Sequence, residues 1–446
     1  MIKKYYLETF GCQMNVVDSE QIAGLLEDLG YEPASAPETA DLILLNTCTI
    51  RERAERKVVG HLWQFKPLKE FKPDLVIAVG GCVAQQEGGR LLEQLPHVDL
   101  VFGTHNIHRL PELLEKAKAG GRCQEVAFLD KETRLGLFPK RRCHGAVSRF
   151  VTVMQGCDNF CAYCVVPHVR GREISRPSPE IVAEVRQLAE NGTREVTLVG
   201  QNVNSYGRNL AHEISFAELL GLVHEVSGIE RIRFVTSHPR DISDELIRCF
   251  AELPKLCSHV HLPLQSGSDR ILELMGRGYS RQAYLEKVTF LKRACPEIRL
   301  TTDIIVGFPG ETERDFQDTL EVVEKVRYAD AFTFLYSPRP NTRALNLQDD
   351  TSAALKQERF QRLLDVQEAV SLATWEGDVG RLLPVLVEGE SRQGNGQLFG
   401  RTEWNRIVNF IGNPELVGRT VPVRIVASYK NSQLGELVEN ASAVGS

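Results

Sequence analysis

The 446-residue chain contains no run of eighteen nearly continuous apolar residues, so no transmembrane helix is expected. Its first residues, MIKKYYLETFGC, hold an apolar run too short for a secretory leader, and Glu8 interrupts it. A signal peptide is therefore not expected, and the protein is read as cytoplasmic, with no membrane partner. A basic excess is missing as well: 53 Lys and Arg against 59 Asp and Glu give a net charge of -6. That argues against a generally basic nucleic-acid coat, though not against a local basic surface. GFPGET (307–312) lacks the Gly-Lys-Ser/Thr ending of a phosphate loop, so nucleoside triphosphate hydrolysis is unsupported.

A disulfide framework is also not expected, because the eleven cysteines lie in a chain read as cytosolic. Cys249, Cys257 and Cys295 sit in amphipathic or strand-like surroundings and read as core. Cys123 and Cys143 flank a polar, basic stretch and stay unassigned. The other six form two sets of three, and each set lacks an obvious fourth ligand.

What is present is a long alternation of strand and helix. In residues 1–120, KYYLE, DLILLN, DLVIAVG and VDLVFG read as buried strands. Helical patterns begin near Asp18, Arg51, Gln85 and Asn106. The alternation predicts an α/β fold with a parallel, Rossmann-like sheet. Three of the strands run into Gly11-Cys12, Thr47-Cys48 and Gly81-Cys82. Carboxyl ends of parallel strands share one edge, so Cys12, Cys48 and Cys82 should converge there as soft ligands, with Gly11, Gly80 and Gly81 admitting a bulky group.

Residues 121–145 read as a linker, and its Lys131, Arg134, Lys140, Arg141 and Arg142 are either solvated or in contact with a polyanion. From 146 to 374 a second alternation supplies RFVTVM, EVTLVG, IRFVTS, SHVHLPL, RLTTDIIVG and AFTFLY, followed by a long helix over 351–374. Six strands predict a partial (β/α)6 barrel with an open side for a large substrate. Residues 375–446 turn to short strands and glycine turns and predict a small β-barrel.

The stretch MQGCDNFCAYCVVPHVRG (154–171) places Cys157, Cys161 and Cys164 at the end of the first barrel strand. Gly156, Asn159 and Pro167 favour a loop, which can wrap three thiolates around an iron–sulfur cube and leave one iron open. A zinc site completed by His168 has compatible spacing, and a zinc-containing RNA-binding protein is the alternative of a different class. Arg170, Arg172 and Arg176 follow the motif closely, as a solvated basic loop or as RNA backbone contacts.

CDNFCAYC has the CxxxCxxC form of the radical S-adenosylmethionine enzymes. GCQMNVVDSE, NTCTIRERAERK, GGCVAQ, VPHVRGREISR, LVGQNVNSYG, RFVTSHP, HLPLQSGSDRIL, TDIIVGFPGET and TFLYSPRPNTRA resemble the methylthiotransferases of that superfamily over essentially the whole chain. The resemblance implies a [4Fe–4S] cluster on Cys157, Cys161 and Cys164 that cleaves S-adenosylmethionine to a 5′-deoxyadenosyl radical. It implies an auxiliary [4Fe–4S] cluster on Cys12, Cys48 and Cys82 for sulfur insertion, and a terminal RNA-binding TRAM barrel. S-adenosylmethionine serves twice, as radical source and as methyl donor. The GCQMN, QNVN and HLPLQSGS segments fit the branch that acts on tRNA carrying N6-isopentenyladenosine at position 37. Relatives act on threonylcarbamoyladenosine in tRNA or on ribosomal protein S12. An electron donor of the flavodoxin or ferredoxin kind is implied, with the sulfur source unassigned. Tyr163, Gly200, Gln201, Asn202, Ser237, Gln265 and Asp303 are the candidate cofactor contacts, Tyr163 as the aromatic residue the family keeps near the adenine.

Overall fold

The computed structural model describes residues 2–49, 52–137, 145–210, 214–391, 394 and 396–438, and the side chains of the 52–64 helix from residue 58 onward. Six parallel strands form the first sheet: Lys3–Thr9, Tyr31–Pro33, Leu42–Thr47, Val76–Gly81, Leu100–Phe102 and Cys123–Glu125. Their spatial order is 31–33, 3–9, 42–47, 76–81, 100–102, 123–125. Helices cover both faces, which is why the central strands read as continuous apolar runs. Leu42 and Leu44 enter one core, with Ile22 and Leu110, while Ile43 and Leu45 enter the other, with Leu62 and Val83. The chain leaves the 3–9 strand in one direction and returns to build the other, so the order reverses between 3–9 and 42–47. Ligands of such sheets bind beyond the strand ends at that reversal, and Cys12 and Cys48 follow its two strands.

The edge strand Cys123–Glu125 lies within the segment read as linker. It is short and largely polar, and only its pairing with Leu100–Phe102 makes it a strand. Beyond it, Arg134 is buried and donates to the carbonyls of Arg172 (2.7 Å) and Arg170 (3.4 Å). It is therefore neither solvated nor available to a polyanion. Lys131 bonds the Asn209 carbonyl. Lys140, Arg141, Arg142 and Cys143 lie outside the described residues.

The central domain has the six expected strands as two parallel triplets. Ser148–Thr152, Glu195–Val199 and Arg231–Phe234 pair in chain order, as do His259–His261, Arg299–Val306 and Asp330–Leu335. A parallel bridge from Ile232 to Leu256 joins the triplets, giving the sequential order of a barrel. Among the described residues the first and last strands do not pair, and Phe332 and Leu335 of the last strand are exposed. The open side expected from six strands is present. Helices Phe216–His224, Asp244–Glu252, Arg281–Ala294 and Glu313–Val326 begin at Ser215, Ser243, Ser280 and Thr312, whose hydroxyls accept a first-turn N–H.

Helix Ala353–Glu376 leads to a closed barrel of five strands: Leu382–Glu390, Gln397–Arg401, Ile407–Ile411, Thr420–Ser428 and Gln433–Leu437. The fifth strand, QLGEL, carries too few apolar residues to be legible alone. It closes the barrel by pairing parallel to Ile407–Ile411 and antiparallel to Thr420–Ser428. Arg231 and Arg233 reach from the central sheet into this barrel, donating to the carbonyls of Pro384 (2.9 Å), Glu403 (2.6 Å) and Thr402 (2.7 Å). Arg299 pairs with buried Asp378 at 2.8 Å and lies 3.8 Å from the Trp404 ring centre and 4.5 Å from that of Trp375. The last barrel is therefore docked through desolvated charges rather than tethered.

Candidate functional site

Cys12, Cys48 and Cys82 meet at the carboxyl edge of the first sheet. A side chain on Gly11 would place its Cβ 2.4 Å from the Cys48 Cβ and 3.0 Å from its sulfur. Gly11 has φ +132, a backbone state glycine adopts without strain. The glycines here serve protein packing, not the approach of a bulky group: Gly80 faces the Phe102 ring and Gly81 abuts Asn46 and Thr47. A buried polar network fixes the strand ends. Asn15 donates to the Thr47 carbonyl (2.9 Å), Asn46 to the Asn15 carbonyl (2.8 Å) and Thr47 to the Gly80 carbonyl (2.6 Å).

Arg170 arrives at this edge from the other domain. Its guanidinium pairs with Asp18 at 2.6 Å, both side chains being buried. A hydrogen bond from Cys48, aided by the Arg170 charge, lowers the Cys12 thiol to about 6 against the opposing effect of burial. Burial raises Cys82, with Arg170 pulling the other way. The short helix Val166–Val169 carries Arg170 there, and Val165 and Val169 pack on Cys82. Thr104 and His105 hold the helix by the carbonyls of Val169 and Arg170. Five residues thus separate Cys164 of one triad from the arginine that serves the other.

The second triad lies on a loop fixed by main-chain bonds. Cys164 N–H donates to Cys161 (3.0 Å), Ala162 N–H to Met275 (2.8 Å) and Ala344 N–H to Ala162 (2.8 Å). Gln201 accepts the Gly156 N–H at 2.5 Å. Phe160 has φ +46, strain held by those surroundings. Burial pushes Cys157 far above the usual thiol range and Cys164 to about 12. Against them stands Arg277, fully buried, donating to the Cys161 sulfur (3.3 Å), the Tyr279 hydroxyl (3.1 Å) and the Pro263 carbonyl (3.1 Å). Among the described residues no carboxylate pairs with it. A buried cation without an anion is costly. A thiolate-bound cluster of net negative charge would supply that anion on three nearby cysteines, so these residues fit a [4Fe–4S] group.

A single zinc fits less well. Tetrahedral zinc–sulfur bonds of about 2.3 Å bring sulfurs within roughly 3.8 Å of one another. Among the described residues no three His, Cys, Asp or Glu side chains are placed to hold one ion. His168, the proposed fourth zinc ligand, is exposed on its helix.

The other candidate contacts divide into two groups beside the radical loop. Tyr163, Gln265 and Asp303 line a cavity of about 800 Å³, together with Cys164, Thr49 of the first domain and Phe332 of the last barrel strand. Gln265 has φ +68. Gln201, Asn202 and Ser237 lie apart from that cavity. Asn202 donates to Asp241 (2.7 Å), while its side-chain amide oxygen, the Ser237 hydroxyl and His238 Nε2 are buried without partners among the described residues. Three spare polar atoms at two adjacent strand ends suit a polar ligand. Gly200 faces inward, against Met154. Of the basic loop, Arg170 and Arg176 are buried, Arg176 in ion pairs with Glu180 and Glu184, so neither is solvated or free for RNA. Arg172 alone is exposed, paired with Asp158. Sequence reasoning missed Asp18, Asn15, Asn46 and Arg277 as site residues. The polar Asn46 closing the apolar run DLILLN was the one local signal.

Sequence relatives decide the family. The chain is 60% identical over 438 residues to the tRNA-2-methylthio-N(6)-dimethylallyladenosine synthase of Syntrophotalea carbinolica, covering 98% of this chain and 100% of the relative. It is 58% identical to the enzyme of that name from Geotalea uraniireducens, over 98% and 99% of the two chains. The Moorella thermoacetica enzyme is 50% identical, over 98% and 99%. The chain belongs to the tRNA-2-methylthio-N(6)-dimethylallyladenosine synthase family. Within this chain, residues 4–103 match the uncharacterized protein family UPF0004, residues 151–323 the radical SAM superfamily and residues 378–438 the TRAM domain. Among solved structures, the radical S-adenosylmethionine methyltransferase TsrM from Kitasatospora setae superposes with a TM-score of 0.57 at 16% identity, over 77% of this chain and 74% of that one. The cobalamin-dependent S-adenosylmethionine radical enzyme OxsB gives 0.53 at 13%, over 83% and 56%. Both share the fold of this chain over the superposed parts.

Proposed function

We propose that this chain is a radical S-adenosylmethionine methylthiotransferase that converts N6-isopentenyl(dimethylallyl)adenosine at position 37 of tRNA to its 2-methylthio derivative. Near-full-length identity to three synthases of that name carries the reading. Its chemistry is supported by two thiol triads, each beside a buried arginine, bridged by residues 164–170. Cys157, Cys161 and Cys164 would hold the radical cluster, and Cys12, Cys48 and Cys82 the auxiliary one. When bound, the first supplies one electron to the sulfonium of S-adenosylmethionine and the second presents sulfur. The protein's part is placement. The fixed loop sets the first triad beside the cavity, and Tyr163, Gln265 and Asp303 offer one aromatic and two polar groups to what enters it. Asn202 and Ser237 offer unpartnered polar atoms on the other side of the loop. The TRAM barrel supplies the tRNA surface, and a flavodoxin or ferredoxin supplies the electron. Among the described residues no helix is long and apolar enough to cross a membrane.

The test is anaerobic incubation with isopentenylated tRNA, reductant and S-adenosylmethionine, followed by nucleoside mass analysis. The expected product is the 2-methylthio nucleoside. Methylthiolation of threonylcarbamoyladenosine alone, or no product from a protein carrying both clusters, overturns the assignment.

A further inference from the structure

Each thiol triad is faced by one buried arginine, and the two arginines differ in what shares their charge. Arg277 reaches the Cys161 sulfur at 3.3 Å and otherwise meets only a phenol and a carbonyl. The Met275 carbonyl two residues earlier accepts the Ala162 N–H, which ties the Arg277 segment to the cysteine loop. Arg170, at the auxiliary triad, is bound to Asp18 at 2.6 Å. Asp18 sits in helix Gln13–Asp28, which begins immediately after Cys12. The Arg170 carbonyl is held by His105 and Arg134. Both arginines are buried in these positions.

Reducing an iron–sulfur cluster adds one negative charge. A nearby cation, or an N–H donated to a ligand sulfur, therefore favours the reduced form, and a carboxylate opposes it. Arg277 gives its cluster a whole positive charge. Arg170 also hydrogen-bonds the Cys82 sulfur, but Asp18 offsets its charge, so the pair brings the other cluster almost no net charge.

We propose that these three residues rank the two clusters for the incoming electron: Arg277 draws it to the cluster on Cys157, Cys161 and Cys164, and Asp18 keeps it from the cluster on Cys12, Cys48 and Cys82. The inference rests on the two-cluster reading above. One electron leaves a low-potential one-electron carrier protein, which is oxidised. The radical cluster is reduced and later returns that electron as one carbon–sulfur bond of the sulfonium breaks. An electron diverted to the auxiliary cluster would cleave no sulfonium.

The test measures the potential of each cluster in full-length protein by redox titration followed by electron paramagnetic resonance. Each cluster is isolated by changing the other three cysteines to alanine. Asp18→Asn keeps the shape and removes the charge, and the auxiliary potential should rise. Arg277→Gln should lower the radical-cluster potential by at least about 59 mV, a tenfold fall in the reduced-to-oxidised ratio for one electron. Arg277→Lys, which retains charge but not the fork, should shift it less; if the Gln protein does not retain iron, the Lys protein should still show a fall. Either potential unmoved, or moved in the opposite sense, overturns the ranking. Iron analysis of the parent separates the two ideas. About eight irons per chain support two clusters, whereas about four overturn the two-cluster reading itself.

Discussion

Gly156 precedes the first radical-site cysteine with φ +79, and a Cβ there would lie 2.1 Å from the Arg172 carbonyl oxygen. Gly156→Ala should cost about 3 kcal/mol or more, from the left-handed backbone and the forced displacement together. Thermal unfolding checks the cost, and a stability equal to the parent's contradicts it. Cys161→Ala should abolish both cluster assembly at that loop and 5′-deoxyadenosine formation. Normal deoxyadenosine yield from that variant refutes the assignment of Cys161. His105 supports a pH prediction. Burial lowers its folded pKa to about 4 from 6.5. The neutral ring donates to the Arg170 carbonyl and accepts from Leu129 N–H. Between pH 6.5 and 4 the unfolded chain binds the extra proton, so this group's contribution falls with pH by up to about 3 kcal/mol and then levels. Glu173, raised to about 7 mainly by burial, acts in the opposite sense, so the comparison is between parent and His105→Gln. The variant should lose less stability on acidification over that window. Parallel pH profiles would remove His105 as a titrating support of the inter-domain helix.

Asn46 ends its strand by donating to Asn15 and Ser19 while the neighbouring Thr47 binds the next strand. At the level of elements, these bonds hold three strand ends in register around the auxiliary thiols. Asn46→Leu removes two donated bonds and the one accepted from Asn15 within a buried polar network, which should cost about 2–4 kcal/mol. Iron content should fall toward that of the radical cluster alone. A variant with full iron content would show that the strand ends hold the triad without this network. The strands themselves were legible because burial on both faces makes their sequences continuously apolar. The edge strands Tyr31–Pro33 and Cys123–Glu125 and the barrel strand Gln433–Leu437 were not. Each exists because a neighbour supplies its hydrogen bonds, a condition absent from local composition.

Across the whole molecule, the terminal barrel is joined to the central sheet by Arg231, Arg233 and Arg299. Deleting residues 377–446 would leave Arg231 and Arg233 without the carbonyls they bond, so loss of tRNA binding in such a truncation would mix docking damage with RNA contact. Arg299→Met is the cleaner change. It removes the nearer of the two arginines at buried Asp378, leaving Arg381 at 3.4 Å and Gln433 at 3.0 Å, and should cost about 1.5–3 kcal/mol at that joint. Proteolysis should then cut between the central domain and the barrel earlier than in the parent, while iron content stays the same. Unchanged cleavage would mean that the barrel is held elsewhere. Binding of tRNA by the intact protein should weaken steeply with salt despite the net charge of -6, because phosphate contacts are local and counterion release is not governed by total charge.

Composition, periodicity and the spacing of six cysteines were enough to determine an α/β chain with a terminal β-barrel, both thiol triads, and the edge on which one of them forms. These are local properties: strand period, turn residues and ligands a few positions apart, or ligands at the ends of recognisable strands. The charge pattern around the triads was decided only by the tertiary structure. Asp18 and Arg170 are 152 positions apart, and Arg277 and Cys161 are 116 apart. In sequence, Arg170, Arg172 and Arg176 look alike, three arginines in one basic loop. Folding buries the first against Asp18, buries the third against Glu184 and leaves only the second in water. Whether an arginine is a surface charge or the counter-ion of a cluster depends on which distant element desolvates it, and no local pattern encodes that.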